Sequence, residues 1–557
     1  ANGIKPKNEP KSNTDVKGNA PVGGYQFKKD GETYTTNEGQ TLAINTMKDW
    51  YYAKDPTKPH FLLQGRGGTG KTTVINVLME QLGIKSSEVA FVTPTHKALK
   101  VIRQSNKSNK YGASEYKTIA SLLGIKPNYD AMGNIVAFER EWGADDVKMP
   151  KVLVIDEASM VHSINYSMLL KEAAKLPTKI VFMGDHAQLA PVKDKLARVK
   201  SVVFGNLENS TVHLNQLMRQ AEGSPIIAFT DGLISIVNSV EEMAAKGGVS
   251  EVNANKILRQ TTFDGNYYNR MDESTGEGVI LTTESFDEIF PQFMRDYEND
   301  PINTKFIHFN NHIHEDTIDI TNKIRNKLFP SRASEEVFIE GEPLILNGPT
   351  TPAATGYKDL ADMETLDNGE EFTVVSYELI KNSRINYTVG KRTKTSAGTI
   401  DVYKIKTKDN ITGETVVFLK PVNDADVDKI VIEERGVLVS RGGNAEHAGR
   451  IRAFLSTSLG LGYVINGHKA QGSTYETVYM DIGNIIGQYD DYVSANDKIK
   501  SAYVGASRPT KRLVVIDNRG LSSTIVNGKP LPYTGGVFSD LGTVSTTEAA
   551  KNIDKCQ

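Results

Sequence analysis

The run Gly65-Arg66-Gly67-Gly68-Thr69-Gly70-Lys71-Thr72 has the composition and spacing of a phosphate cradle. It follows a short apolar strand, Phe61-Leu62-Leu63, and opens an amphipathic helix carrying Val74, Val77, Leu78 and Leu82. That context is what a Walker A loop requires. Gly65, Gly67, Gly68 and Gly70 let backbone N–H groups curve around phosphates, with Thr69 between them. The helix N-terminus adds partial positive charge. Lys71 is the residue to reach the β- and γ-phosphates, and the Thr72 hydroxyl is suited to Mg²⁺, with Thr73 beside it. Downstream, Asp156-Glu157 ends the apolar run Val152-Leu153-Val154-Ile155. Such a pair at a strand end divides its work: Asp156 holds the metal, and Glu157 activates the attacking water. The chemistry expected is hydrolysis of ATP with Mg²⁺.

These groups need rigid elements behind them. Val89-Ala90-Phe91-Val92 and Ile180-Val181-Phe182-Met183 are further short apolar runs separated by helical periodicity, which predicts a parallel sheet covered on both faces. A second alternating block starts near Ser224 and passes through Phe306-Ile307-His308-Phe309. After Gly341 the texture becomes short strands, Phe372–Val375, Ile385–Val389, Val402–Ile405 and Val416–Leu419, broken by turn signals such as Asp367-Asn368-Gly369. This predicts an antiparallel β module inserted in the second α/β unit. Strand–helix texture returns near Gly462 and ends with Leu513–Ile516.

With 557 residues the chain needs roughly three or four units. Hydrophobic residues at 39% and charged residues at 24% are ordinary for a globular protein. No apolar run approaches the roughly 18–20 residues needed to cross a bilayer. One cysteine, Cys556, excludes an internal disulfide and a cysteine-rich zinc module, and a cytoplasmic location is expected. Net charge is 65 − 68 = −3, so any grip on nucleic acid must be concentrated in a groove.

The remaining motifs carry a resemblance. Asn37-Glu38-Gly39-Gln40, Val92-Thr93-Pro94-Thr95-His96-Lys97-Ala98, Tyr116–Leu123, Gly184-Asp185-His186-Ala187-Gln188, Leu214–Arg219, Gly467-His468-Lys469-Ala470-Gln471-Gly472-Ser473 and Tyr503–Arg508 follow one another in an order that resembles the superfamily 1B DNA helicases, particularly the phage Dda-type and RecD-like ones. The resemblance spans about residues 36–516. Two departures stand out: Ile465-Asn466 occupies a place where relatives tend to have Thr or Ser, and Ser507 replaces a usual Thr.

The resemblance implies two RecA-like P-loop NTPase domains, an inserted β-hairpin and an inserted SH3-like β-barrel module. It implies that Gln40 reads the adenine edge, Gln188 senses the γ-phosphate, Arg219 approaches it, and Arg508 acts as an arginine finger from the second domain. Thr93, Pro94, Thr95, His96 and Thr118 in the first domain, with His468 and Lys469 in the second, become DNA contacts. Between Gly124 and Trp142 a hairpin is expected, and the resemblance makes it the pin that splits the duplex, with Phe138 near the place of the family's pin aromatic.

The organisation expected is a disordered tail over 1–30, a first domain over 31–225 with the pin at about 124–147, a second over 226–345 and 461–520, the β module over 346–460, and a C-terminal tail over 521–557. The function expected is an ATP-driven DNA helicase, moving 5′→3′ by the resemblance, monomeric, and acting on single-stranded DNA and duplex junctions beside replisome or single-strand-binding proteins. An ATP-switched accessory subunit and a superfamily 1 RNA helicase are the alternatives.

Overall fold

A computed structural model of the protein describes Gly24–Asp517 and the paired two-residue strands Ile525–Val526 and Lys529–Pro530, apart from internal stretches of which the longest are 141–146, 195–199, 219–223, 246–253, 309–313, 358–365, 440–444 and 488–492. Most of the segments expected to be terminal tails lies outside the described residues.

In the first unit β3 (His60–Gly65), β4 (Val89–Thr93), β5 (Glu115–Thr118), β8 (Val152–Ile155), β9 (Lys179–Gly184) and β10 (Thr211–Leu214) form a parallel sheet in the order β10-β3-β9-β8-β4-β5. Period-two geometry divides the apolar runs between two cores. Phe61, Leu63, Phe91, Val154, Val181 and Met183 face one side with α2 (Lys71–Gln81), whereas Leu62, Ala90, Val92, Leu153, Ile155 and Phe182 face the other. Unbroken apolar runs are what burial on both faces demands.

The boundary expected at residue 30 is corrected. Strands β1 (Gln26–Lys29) and β2 (Glu32–Thr35) pair as a hairpin. Tyr25 is buried, its N–H donates to Thr36 Oγ1 at 2.8 Å, and its hydroxyl donates to Asn45 at 2.6 Å on α1 (Glu38–Ala53). Phe27 and Tyr34 stack across the pair.

The second unit carries the sheet β11-β12-β24-β23-β13-β22, comprising Arg270–Met271, Gly278–Thr282, Pro509–Ile516, Tyr475–Asp481, Thr304–His308 and Val464–Asn466. It is parallel except for β11. Helices Pro225–Ala245 and Ala495–Ala506 share one of its cores.

Between β13 and β22 in sequence stands an antiparallel sheet, β15-β20-β19-β16-β14-β21, built from Ala354–Thr355, Thr415–Pro421, Ile400–Asp409, Glu371–Ser383, Pro343–Leu346 and Leu459–Leu461. Its long strands run on to a second small core, where the hairpin β17–β18 (Asn386–Val389, Arg392–Thr395) packs with helices Ala425–Val439 and Ala445–Phe454. The insertion is therefore larger than a β module alone. A further hairpin, β6 (Ile125–Tyr129) with β7 (Ile135–Arg140), leaves the first unit where one was expected. Its Met132 carbonyl accepts from Arg452 Nε at 3.0 Å, on helix Ala445–Phe454.

Candidate active site at the seam between the parallel sheets

β3 delivers the chain to the phosphate loop and α2 takes it away. Gly68 and Gly70 have φ of +89° and +82°, which L side chains rarely adopt. A Cβ on Gly70 would lie 2.6 Å from Gln40 Nε2, so a side chain there would also push the Gln40 amide aside. Lys71 Nζ donates to the carbonyls of Gly65 at 2.8 Å and Arg66 at 3.0 Å, and Thr72 and Thr73 sit partly buried in the first turn of α2. Gln40 is buried beneath the loop. Its amide donates to Thr69 O at 3.2 Å and accepts from the Asn37 N–H at 3.2 Å, tying it to the loop backbone. Thr69 in turn donates to Arg66 O at 2.9 Å.

Asp156 and Glu157 leave the end of β8. The Asp156 N–H donates to Val92 O at 2.9 Å, and Asp156 accepts from the Glu157 N–H at 2.8 Å. Glu157 has φ of +54°, a left-handed conformation that costs a non-glycine residue on the order of 1–3 kcal/mol and that concentrates at working sites. Burial raises the Asp156 carboxyl above the usual range, against the pull of Lys71. Burial and then the Asp156 charge push Glu157 up to about 7, opposed by Lys71 and Arg508.

The paired carboxyls facing Lys71 at the phosphate loop suit a divalent cation. Among the described residues no cluster of three or more His, Cys, Asp or Glu side chains could hold a metal alone. Mg²⁺ needs none, because it takes one or two protein oxygens and completes its shell with phosphates and water. Thr72 and Asp156 would supply those oxygens.

The second unit closes the seam. Arg508, only 4% exposed, follows helix Ala495–Ala506 and starts the turn into β24. Nε donates to Val504 O at 2.9 Å, Nη1 to Ser473 O at 3.1 Å and Nη2 to Ser507 Oγ at 2.8 Å. The hydroxyl that Ser507 shares with the usual Thr is thus in use. A Cβ on Gly67 would lie 3.9 Å from Arg508 Nη2, which sets the guanidinium against the phosphate loop. Gln188 is buried and accepts from Gln471 Nε2 at 3.2 Å, and the same amide reaches Ser159 Oγ at 3.3 Å. Tyr503 donates to Asp185 at 2.6 Å, and Lys500 donates to His186 O at 2.8 Å. The bonds made by Gln471, Tyr503 and Lys500 join the two units. Arg219 lies outside the described residues.

Thr93 is buried and donates to Thr95 O at 2.8 Å; Thr95 caps α3 (His96–Asn106), and Pro94 between them is partly exposed. The His96 N–H donates to Asp367 of the inserted unit at 2.9 Å. Thr118 is buried and caps α4 (Ile119–Leu123) by accepting from Ser121 N at 3.1 Å. Asn466 accepts from the Lys469 N–H at 2.9 Å, so the departure from Thr or Ser retains a helix cap. Lys469 bonds Asn347, and burial lowers the pKa of both His468 and Lys469. Phe138 lies on β7 opposite Pro127 and is 62% exposed.

Sequence reasoning gave no role to Asp185, Tyr503, Gln471 or Ser159. They sit in or beside matched motifs, but only chain folding shows which pairs meet. A cavity lined by Thr57, His60, Tyr166 and Ser210 opens at the opposite end of β3 and holds none of the site residues.

A family model described as an AAA domain matches residues 52–254. An uncharacterized protein, R530, of Acanthamoeba polyphaga mimivirus is 24% identical over 526 residues, covering 86% of this chain and 99% of the relative. The ATP-dependent DNA helicase dda of Enterobacteria phage T4 is 31% identical over 158 residues, 28% of this chain and 33% of that protein. The RecBCD subunit RecD of Buchnera aphidicola subsp. Schizaphis graminum is 34% identical over 138 residues, 24% of this chain and 23% of RecD. These two matches span only a third or less of each relative's length. Among solved structures, a Pif1 helicase from Candida albicans gives a TM-score of 0.40 at 14% identity, over 94% of this chain and 100% of that one.

Proposed function

Taking the chain as a superfamily 1B helicase, the place its relatives and motif order support, we propose that it hydrolyses ATP at the seam between its parallel sheets and uses the cycle to move along single-stranded DNA and part duplexes. The observation that carries this is the seat of Arg508, which comes from the second unit and stands against Gly67 and the Glu157 charge of the first.

The phosphate loop and Lys71 bind the triphosphate, and Gln40 holds the loop from below, where the resemblance has it read the adenine edge. Mg²⁺, held by Thr72 and Asp156, supplies charge neutralisation when bound. Glu157 accepts a proton from the attacking water as the new P–O bond forms and the bond from the γ-phosphorus to its bridging oxygen breaks. Arg508 stabilises charge on the transferring group, with Arg219 as a second cation near the γ-phosphate and Gln188 as its sensor. The Gln471–Gln188 and Tyr503–Asp185 bonds transmit opening and closing between the units.

Translocation follows if the loop Thr93–His96 and the pair His468–Lys469 grip DNA alternately, with Thr118 in support, through phosphate contacts and base stacking. We read β6–β7 as the separating pin, the antiparallel insertion as an SH3-like module beside it, and the direction as 5′→3′. The mode of action is monomeric, on single strands and junctions in the cytoplasm, alongside replisome or single-strand-binding proteins. No described helix is long and apolar enough to cross a membrane.

The test compares ATP hydrolysis with oligothymidylate, with RNA and with neither, for wild type and Lys71→Ala, together with unwinding of 5′- and 3′-tailed duplexes. Stimulation by DNA and unwinding of the 5′-tailed duplex are expected, both abolished by Lys71→Ala. Stimulation by neither polymer overturns the motor reading, and stimulation by RNA alone moves it to the RNA helicases.

A further inference from the structure

Away from the nucleotide, one buried carboxylate touches all three units. Glu371 opens β16 in the inserted unit and is 9% exposed. Its Oε1 accepts from Lys97 Nζ of α3 at 3.3 Å and from the Tyr475 hydroxyl at 2.5 Å, and its Oε2 lies 3.1 Å from Lys305 Nζ on β13. Both lysines are as buried as the acid. Burial opposes ionisation of Glu371, yet the two ammonium charges outweigh it and hold the carboxyl at about 2.

Each donor leads somewhere relevant. Lys97 directly follows His96 of the proposed DNA-gripping loop, and its ammonium also donates to Lys469 O at 2.7 Å in the second unit's DNA motif. The Tyr475 N–H donates to Arg508 O at 3.1 Å, while Arg508 Nη1 returns to Ser473 O. Glu371 is thus joined through Lys97 to both proposed DNA grips and through Tyr475 to the backbone of the residue that crosses the seam. A buried ion cluster is a poor source of stability compared with apolar packing of the same volume, but it admits few alternative arrangements. Two lysines brought together here without the acid would repel each other in a dry environment.

We propose that Glu371 is a positioning residue through which DNA at the two grips and nucleotide at the Arg508 seam affect each other. This rests on the helicase reading above. In energetic terms such a link is a coupling between two ligands, and it must be reciprocal for binding.

The experiment reads that coupling in the full chain. The dissociation constant for fluorescent oligothymidylate is measured with and without a non-hydrolysable ATP analogue, and the ratio is the coupling. Three proteins are compared, with thermal melting alongside: wild type; Tyr475→Phe, which deletes one hydroxyl; and Lys305→Met/Glu371→Gln, which removes the carboxylate together with one ammonium so that excess buried charge does not accumulate. Wild type is expected to show a ratio about tenfold away from unity. Both variants are expected to bring the ratio to within about twofold of unity while still melting cooperatively. Wild-type coupling retained in either folded variant, whatever happens to its melting temperature, overturns the proposal and leaves the helicase reading standing. No DNA binding by wild type overturns both.

Discussion

Arg508→Lys is the substitution that asks most of the proposed engine, because it keeps the charge and changes only its geometry. A guanidinium has five N–H donors. Three are committed, to Val504 O, Ser473 O and Ser507 Oγ, so two remain, one on each terminal nitrogen. The Nη2 end stands against the phosphate loop at Gly67. A lysine ammonium has three donors on one atom and cannot both satisfy those acceptors and bridge a phosphoryl group. The loss expected therefore resembles that of an arginine finger, about 10³-fold in kcat or more, equivalent to roughly 4 kcal/mol of transition-state stabilisation. Ground-state affinity is held by Lys71 and the loop amides, so the dissociation constant for a fluorescent ATP analogue is expected to change by no more than about threefold. The assay is steady-state ATP hydrolysis at saturating oligothymidylate, with nucleotide titration and thermal melting on the same preparation. A folded Arg508→Lys protein whose kcat stays within about tenfold of wild type would refute the argument, because the seam would then work without a guanidinium.

Glu157 must be ionised to take a proton, and burial with the Asp156 charge sets it at about 7 in the free protein. The pH profile of kcat/KM for ATP is therefore expected to be flat above that value and to fall about tenfold per unit below it, and a profile flat down to pH 5.5 or so would contradict the assignment. Lys100, fully buried, pairs with both Glu370 and Asp409 of the inserted unit. Lys100→Met would strand two acids at a cost of roughly 3–5 kcal/mol, read as a melting transition lower by about 10 °C, with an unshifted melt counting against the ion cluster as the link between α3 and that unit. Phe138→Ala is expected to reduce unwinding while DNA-stimulated ATP hydrolysis persists, since an exposed aromatic offers stacking worth about 1–3 kcal/mol per base. Unchanged strand displacement would remove Phe138 from the pin's action.

Local patterns spoke for themselves where one short segment carried the whole signal. Gly65–Thr72 needs only its own residues and the flanking strand and helix to form a phosphate nest. Apolar runs such as Val152–Ile155 are legible as doubly buried strands because both faces of a parallel sheet must be covered. The hairpins were uneven: β6–β7 was expected between Gly124 and Trp142, while β1–β2 was hidden in a polar leader whose Tyr25, Phe27 and Tyr34 are few but buried or stacked. The two helices packed on β17–β18 had no place in the expected β module, since their amphipathic faces have meaning only against a core assembled from distant strands.

What the chain determined alone is the chemistry available at each position: a cradle for phosphate, a pair of acids, and motifs carrying glutamine, arginine and histidine in a particular order. What tertiary structure decided is which of these meet. Arg508 reaches Gly67 across 441 positions, Gln471 finds Gln188, and Glu371 of the inserted unit collects three donors from the other two units. Those encounters depend on how separately folded sheets dock, and the forces that dock them are buried charges and hydrogen bonds whose strength comes from the exclusion of water. No window of sequence contains that exclusion, because water is removed only when all three units are in place.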